Sequence, residues 1–369
     1  MAASTYGFKR PYALLILSGS LLIHFGPSPE RLNAQSQGTP VTPRVISSSS
    51  GQYSTIALEP ISPPPPEMTP KVSGSGAGLT IIPTFNSTGV TAIDAATQTV
   101  INNAIAFYQN TFTNNITVNI EFHNMSGGLG LSTFFIFNVS YQTYCTALGA
   151  SATSPDDITA LANTPCGSTN PINGNANIGV KVPNGMALGG LGTSEGPFGG
   201  ACPTPNFTGS GCIGLNVTLA NMHPGLLFAV VEHEIDEVLG LGSALNGTTT
   251  PLVPWTEDLF RWHSAGTPGT RSYAADASTT KPCGGSTPLA YFSIDGGTTD
   301  LDDFNNCNNT GDYGDWVEHT LSPQVQDAFL NLSGTPPSLT ITSREVRALD
   351  VIGYSIVVSK HRRGQLISQ

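Results

Sequence analysis

Apolar positions recur along this chain in two rhythms, one of strands and one of helices. Leu79-Thr80-Ile81-Ile82-Pro83-Thr84-Phe85 predicts a strand, and Asn86-Ser87-Thr88-Gly89 a turn. From Thr91 to Phe112 the apolar residues Ile93, Ala96, Val100, Ile101, Ile105, Tyr108 and Phe112 return at helical spacing, and Asn114-Asn115 ends the run. Ile116 to Phe122 alternates as a half-buried strand does, and Phe134 to Tyr141 is a further strand-like run. A small helix is expected over Asp156–Asn163 and a strand over Ile213–Leu219. A helix from Leu226 to Leu241 follows, closed by Gly240 and Gly242. In the C-terminal half, Leu289 to Gly297 predicts a strand and turn, Ser322 to Asn331 a short helix, and Ser343 to Tyr354 a capped helix ending at Gly353.

The Leu226–Leu241 helix carries the chemistry. Val231, Ile235, Val238 and Leu239 fall on a core-facing side. His233 and Glu237, four residues apart, lie one above the other on a single face, the spacing of two ligands to one metal ion. Glu234 stands one step round, where a carboxylate reaches a water held at such a metal. The stretch is close to the H-E-x-x-H zinc helix, whose central Glu is the general base, but Glu237 stands where the second His would be. Zinc accepts carboxylate oxygen, so Glu237 is an admissible ligand. Its charge lowers the Lewis acidity of the metal and predicts a slower hydrolase. Oxygen-rich ligation also suits manganese or iron.

A catalytic zinc takes three protein ligands. In the extended form of the motif the third ligand follows the glycine, yet Ser243 occupies that place. The third ligand must then come from elsewhere. Glu257 lies twenty residues after Glu237, Asp258 adjoins it, and His263, His223 and His319 are further candidates. Tyr313 and His319 are candidates for stabilising an oxyanion. Gly192-Thr193-Ser194-Glu195-Gly196 fits a nucleophile elbow, but its Gly-rich surroundings lack the strand and helix an elbow needs. Asp295, Asp300, Asp302, Asp303 and Asp312 form an acidic stretch in which calcium is conceivable, although turn formation explains it as well.

Composition frames this site. A 39% hydrophobic content allows a sizeable core, while few charged residues with 41 Gly and 28 Pro point to an exported, loop-rich protein. Lys9-Arg10, the apolar run after Tyr12 and Leu32-Asn33-Ala34 predict a signal peptide over residues 1–34. Its removal leaves 11 basic against 24 acidic residues, a formal charge of −13. Such a surface argues against nucleic acid and against stable membrane association. Residues 35–76, with runs of Ser and Pro, are expected to be a linker or propeptide-like arm. The folded domain is placed at 77–358 and a basic tail at 359–369. Six cysteines in an exported chain predict disulfides, with sequential pairing Cys145–Cys166, Cys202–Cys212 and Cys283–Cys307.

Several stretches together resemble a family of exported bacterial metalloproteases with an H-E-I-x-E helix, some of whose members end in an exosortase sorting tail. They are His233-Glu234-Ile235-Asp236-Glu237-Val238-Leu239-Gly240, Asp258-Leu259-Phe260-Arg261, Tyr291-Phe292-Ser293-Ile294-Asp295-Gly296-Gly297, Gly311-Asp312-Tyr313-Gly314-Asp315-Trp316 and Ala348-Leu349-Asp350-Val351-Ile352-Gly353-Tyr354. The resemblance implies a zincin-like α+β fold, a twisted mixed sheet over an active-site helix, with a loop-rich, disulfide-containing C-terminal part. It implies hydrolysis of protein or peptide substrates, Glu237 as a normal ligand, and Asp258 as the third ligand ahead of Glu257. No Pro-Glu-Pro sorting tail is present, so a released protein is expected; a monomer is expected as well. The competing expectation is a non-catalytic secreted surface or matrix protein on a decayed zincin scaffold.

Overall fold

The computed structural model describes the backbone of residues 44–48 and residues 78–191, 195–198, 202–221, 225–245, 252–263, 269–273, 290–306, 311–319, 322–330 and 335–357. The expected signal peptide, Ser194, His223, the Cys283–Cys307 pair and the tail lie outside these residues.

The chain enters with β1 (Arg44–Ser48) and β2 (Thr80–Phe85), then α1 (Ala95–Thr111), β3 (Thr117–Asn124) and β4 (Gly130–Ser140). Two helices, α2 (Tyr141–Ser151) and α3 (Pro155–Ala162), lead to β5 (Asn177–Lys181) and α4 (Val182–Ala187). The short strands β6 (Gly196–Pro197) and β7 (Thr208–Gly209) precede β8 (Gly211–Leu215), α5 (Val217–Ala220) and α6 (Leu226–Leu239). The remainder holds β9 (Arg261–Trp262), β10 (Tyr291–Phe292), β11 (Asp302–Asp303) and α7 (Arg344–Val351).

The fold is a mixed α/β arrangement around a twisted sheet. Its order is β1-β4-β8-β3-β2, with β5 also paired to β4. β2, β3 and β8 run parallel, which requires crossovers such as α1 between β2 and β3. β4 runs antiparallel to β8. The other edge of β4 pairs with β1 over Ser132–Ile136 and with β5 over Ile136–Ser140. Residues 44–48, within the stretch expected to be a linker or propeptide-like arm, form a strand paired with β4.

Alternation along the strands sorts the core into two faces. Val118, Ile120 and Phe122 of β3 and Ile213 and Leu215 of β8 join the large cluster that holds α1 and α6. Phe135, Phe198, Phe207, Cys202 and Cys212 form a smaller cluster on the opposite face. α6 lies beneath the sheet with all of its residues except Phe228 buried. Its apolar side chains each contribute about 1.5–3 kcal/mol by leaving water. Gly211 allows the close approach, because a Cβ there would come 2.5 Å from Val238.

Several expectations shift. Ile213–Leu219 splits into β8 and α5, since Asn216 caps the new helix with its side chain on the Leu219 N–H, 3.1 Å. The described part of the expected helix, residues 322–330, is not helical. Pro323 opens it, Asp327 takes the Gln324 N–H at 3.0 Å, and the stretch pairs with Trp316 instead. Tyr141–Ser151 forms a helix that the alternating apolar run before it obscured. Cys145–Cys166 and Cys202–Cys212 are disulfide-bonded as expected. No helix among the described residues is long and apolar enough to cross a membrane.

Candidate metal centre

α6 presents His233 and Glu237 on one face, Glu237 against β4 and His233 against the C-terminal segments that carry Asp315, Val325 and Gln326. The His233 ring is fixed by its Nδ1, which lies 2.9 Å from the Val325 carbonyl oxygen and donates to it. That bond leaves the Nε2 lone pair facing inward, 4.0 Å from Glu237 Oε1 and 3.7 Å from Asp315 Oδ1. One donor atom from each of His233, Glu237 and Asp315 lies within 4.8 Å of the others, and all three residues are buried. A nitrogen and two carboxylates converging so closely form a donor set that fits zinc and also manganese or iron. Asp315 Oδ2 is buried without a hydrogen-bond partner among the described residues, a vacancy in satisfaction that a cation would fill.

Surrounding groups hold these ligands in place. Ser132 of β4 donates to Glu237 Oε2 at 2.6 Å. Gln326 donates from Nε2 to Asp315 Oδ1 at 3.1 Å. Glu234 lodges against β4, where Gly130 makes room: a Cβ there would come 2.1 Å from Glu234 Oε1. Burial holds the His233 imidazole below its ordinary pKa, so it is neutral and able to ligate at neutral pH. Burial, then repulsion from Asp312 and Glu237, pushes the Asp315 carboxyl well above the usual carboxylate range.

Lys181 supplies the compensating charge. It is buried at the C-terminus of α6, where it donates to the carbonyls of Glu237, 2.6 Å, and Leu241. Its Nζ stands 3.6 Å from the centre of the Phe134 ring. Burial lowers its pKa to about 8, and Glu237, Glu257 and Asp315 oppose that shift. It therefore stays largely charged at pH 7. A cation at the helix C-terminus satisfies otherwise unpaired carbonyls and offsets the anion that Glu237 introduces in place of a histidine.

Asp315 reaches the site by close backbone packing. A Cβ on Gly314 would fall 2.3 Å from the Gly242 Cα, so the loop lies directly on the turn that ends α6. Buried Arg261 holds the same loop by donating to Tyr313 O and, at 2.7 Å, to Asn306 Oδ1. The Trp316 indole N–H donates to Glu345 at 3.2 Å. His319 bridges Asp302 and Asp327 at 3.0 and 2.7 Å and ties down the segment carrying Val325 and Gln326. The two carboxylates outweigh burial and raise the His319 pKa to about 10, so this clamp is cationic at neutral pH.

The expected third ligands are engaged elsewhere. Asp258 accepts from the Trp255 N–H at 2.8 Å, the Ala244 N–H at 3.1 Å and the Ser243 hydroxyl. Glu257 accepts from the Gly242 N–H. Both staple the segment after α6 and do not join the His233 cluster. His263 follows β9, with its backbone N–H on Thr270 O at 2.8 Å. In the acidic loop, Asp295 accepts from Ser293, Thr298 and Thr299, an Asx-type turn that fits the turn-forming expectation for this stretch. Asp315 was visible in sequence only as an acid in the Gly311–Trp316 loop; the neighbouring Gly314 was the one signal of close packing. No protein-family model, curated protein or solved structure matches the chain.

Proposed function

We propose that this chain is an exported metal-dependent endopeptidase on a zincin-like scaffold, with His233, Glu237 and Asp315 as metal ligands and Glu234 as general base. The observation that carries this reading is the convergence of His233 Nε2 with the Glu237 and Asp315 carboxylates. When bound, a divalent cation supplies Lewis acidity toward a water and a carbonyl oxygen. The chain's own residues do the rest. Glu234 accepts a proton from the attacking water and returns it to the leaving amine. Ser132 and Gln326 orient the two carboxylates, and the Val325 carbonyl fixes the imidazole. Lys181 limits the electrostatic cost of a second anionic ligand.

The test uses the full chain loaded with zinc and a mixed peptide substrate. Cleavage should be abolished by chelation, restored by metal, and reduced at least about a hundredfold in Glu234→Gln, the scale of general acid–base catalysis. Loss of metal stoichiometry near one, or cleavage insensitive to Glu234→Gln, would sink the proposal. One observation favours the rival reading of a non-catalytic surface or matrix protein: Glu234 and Glu237 are fully buried. That reading predicts bound metal and raised stability with no Glu234-dependent cleavage.

A further inference from the structure

The sheet face opposite α6 holds a second set of donors. β3 and β8 pair with Glu121 opposite Cys212 and His123 opposite Gly214. Strand alternation puts Glu121, His123 and Cys212 on one face, turned away from Phe122 and Ile213. One donor atom from each lies within 4.8 Å of the others. His123 Nδ1 is 3.8 Å from Glu121 Oε1 and 3.7 Å from Cys212 Sγ. Gly214 makes the arrangement possible. A Cβ there would come 2.7 Å from Met125 Sδ and 3.0 Å from His123 Nε2.

Within this set of donors nothing supplies a positive charge. Burial lowers the His123 pKa to about 4, so the ring is neutral at pH 7. Glu121 is 0% exposed. Its Oε1 accepts from the Thr204 N–H at 3.2 Å, while Oε2 has no hydrogen-bond partner among the described residues. A buried carboxylate oxygen left unpaired is costly. A carboxylate, a neutral imidazole and a cysteine sulfur form a donor set suited to zinc. The sulfur, however, is bonded to Cys202, and only the thiolate is an effective ligand.

We propose that Glu121, His123 and Cys212 form a second, thiol-gated site for a thiophilic divalent cation such as zinc, in which the Cys202–Cys212 bridge and the cation compete for one sulfur. Opening the site takes two electrons from an external dithiol. Its thiolate attacks Cys202, Cys212 leaves as thiolate, and the second thiol closes the reductant into a disulfide while releasing Cys202. The protein gains two thiol protons, and cation binding sends that of Cys212 to solvent. The bridge holds the site closed after oxidation in an export compartment, and loading belongs to the reduced chain.

The full-length variant Cys202→Ser frees Cys212 without any reductant. Cobalt(II) is titrated into it, and the thiolate-to-cobalt charge-transfer absorption is followed. The His233, Glu237 and Asp315 donors contain no sulfur, so failure here is separable from failure of the first centre. The oxidised wild type should show no such band. Cys202→Ser and phosphine-reduced wild type should both show one, saturating at one equivalent and displaced by zinc. His123→Gln in the Cys202→Ser background should weaken binding about tenfold or more. Absence of the band from both reduced forms, when each keeps the wild-type circular dichroism spectrum, overturns the proposal. So does a band that persists after Cys212→Ser or is unchanged by His123→Gln.

Discussion

Asp315→Asn separates the metal reading from a purely structural one, because it predicts opposite effects on the two forms of the protein. In the metal-free chain, Asp315 and Glu237 place carboxylate oxygens within 4.8 Å of each other inside the protein. Asp312 adds further repulsion, and Asp315 Oδ2 has no hydrogen-bond partner among the described residues. An asparagine keeps the acceptor for Gln326, is neutral without the proton uptake that burial imposes on Asp315, and places a donor facing Glu237. Relief of a buried polar group that lacks a partner is worth about 1–3 kcal/mol. The metal-free variant should therefore unfold about 2–6 °C above the metal-free wild type, taking about 2 °C per kcal/mol for a domain of this size. With metal the order reverses. Loss of an anionic ligand that weakens affinity a hundredfold removes about 2.7 kcal/mol of ligand-linked stabilisation. The assay is thermal unfolding of wild type and Asp315→Asn, each with chelator and with a fixed excess of zinc, alongside a chromophoric-chelator competition for affinity. A variant destabilised in chelator, or one whose zinc affinity equals that of wild type, would refute the assignment of Asp315 as a ligand.

Other outcomes follow from the same geometry. Lys181→Met should cost about 3 kcal/mol or more in urea unfolding, since it leaves the Glu237 and Leu241 carbonyls without their charged donor. His319→Asn should leave the fold intact but weaken zinc about 10–100-fold, because the Asp302–His319–Asp327 clamp orders the segment carrying Val325 and Gln326. Replacing Cys145 and Cys166 by alanine, at a sequence separation of 21, should cost about 3 kcal/mol, measured by urea unfolding without reductant. Asp350 gives a pH signature. Burial raises its pKa to about 7, whereas in the unfolded chain it titrates near 3.9. Between these values the folded state binds more protons, so stability is full below about pH 4 and declines as pH rises to about 7. Asp350→Asn should flatten that decline, by up to about 4 kcal/mol across the window, in urea unfolding at several pH values.

How much of this was legible in the sequence depends on the range of the contacts involved. α1 and α6 were readable because their apolar residues repeat locally and glycine ends α6. His233, Glu234 and Glu237 were readable because one helix sets their spacing. Asp315 was not, since its place depends on Gly314 packing against Gly242 and on Arg261 gripping Tyr313 O, contacts that no local pattern encodes. Asp258 and Glu257 had suggestive spacing from Glu237, yet the turn after α6 exposes backbone N–H groups that claim both carboxylates first. The cross-strand partnership of Glu121 with Cys212 was equally hidden, because parallel register is fixed by the sheet and not by neighbouring residues.

His233, Glu237 and Asp315 are proposed to hold one catalytic cation. Anomalous diffraction at the zinc absorption edge from crystals of the zinc-loaded full chain tests it most directly. A peak bounded by His233 Nε2 and by carboxylate oxygens of Glu237 and Asp315 is expected. A peak ligated by Asp258 or Glu257 instead, or no peak beside His233, would contradict it.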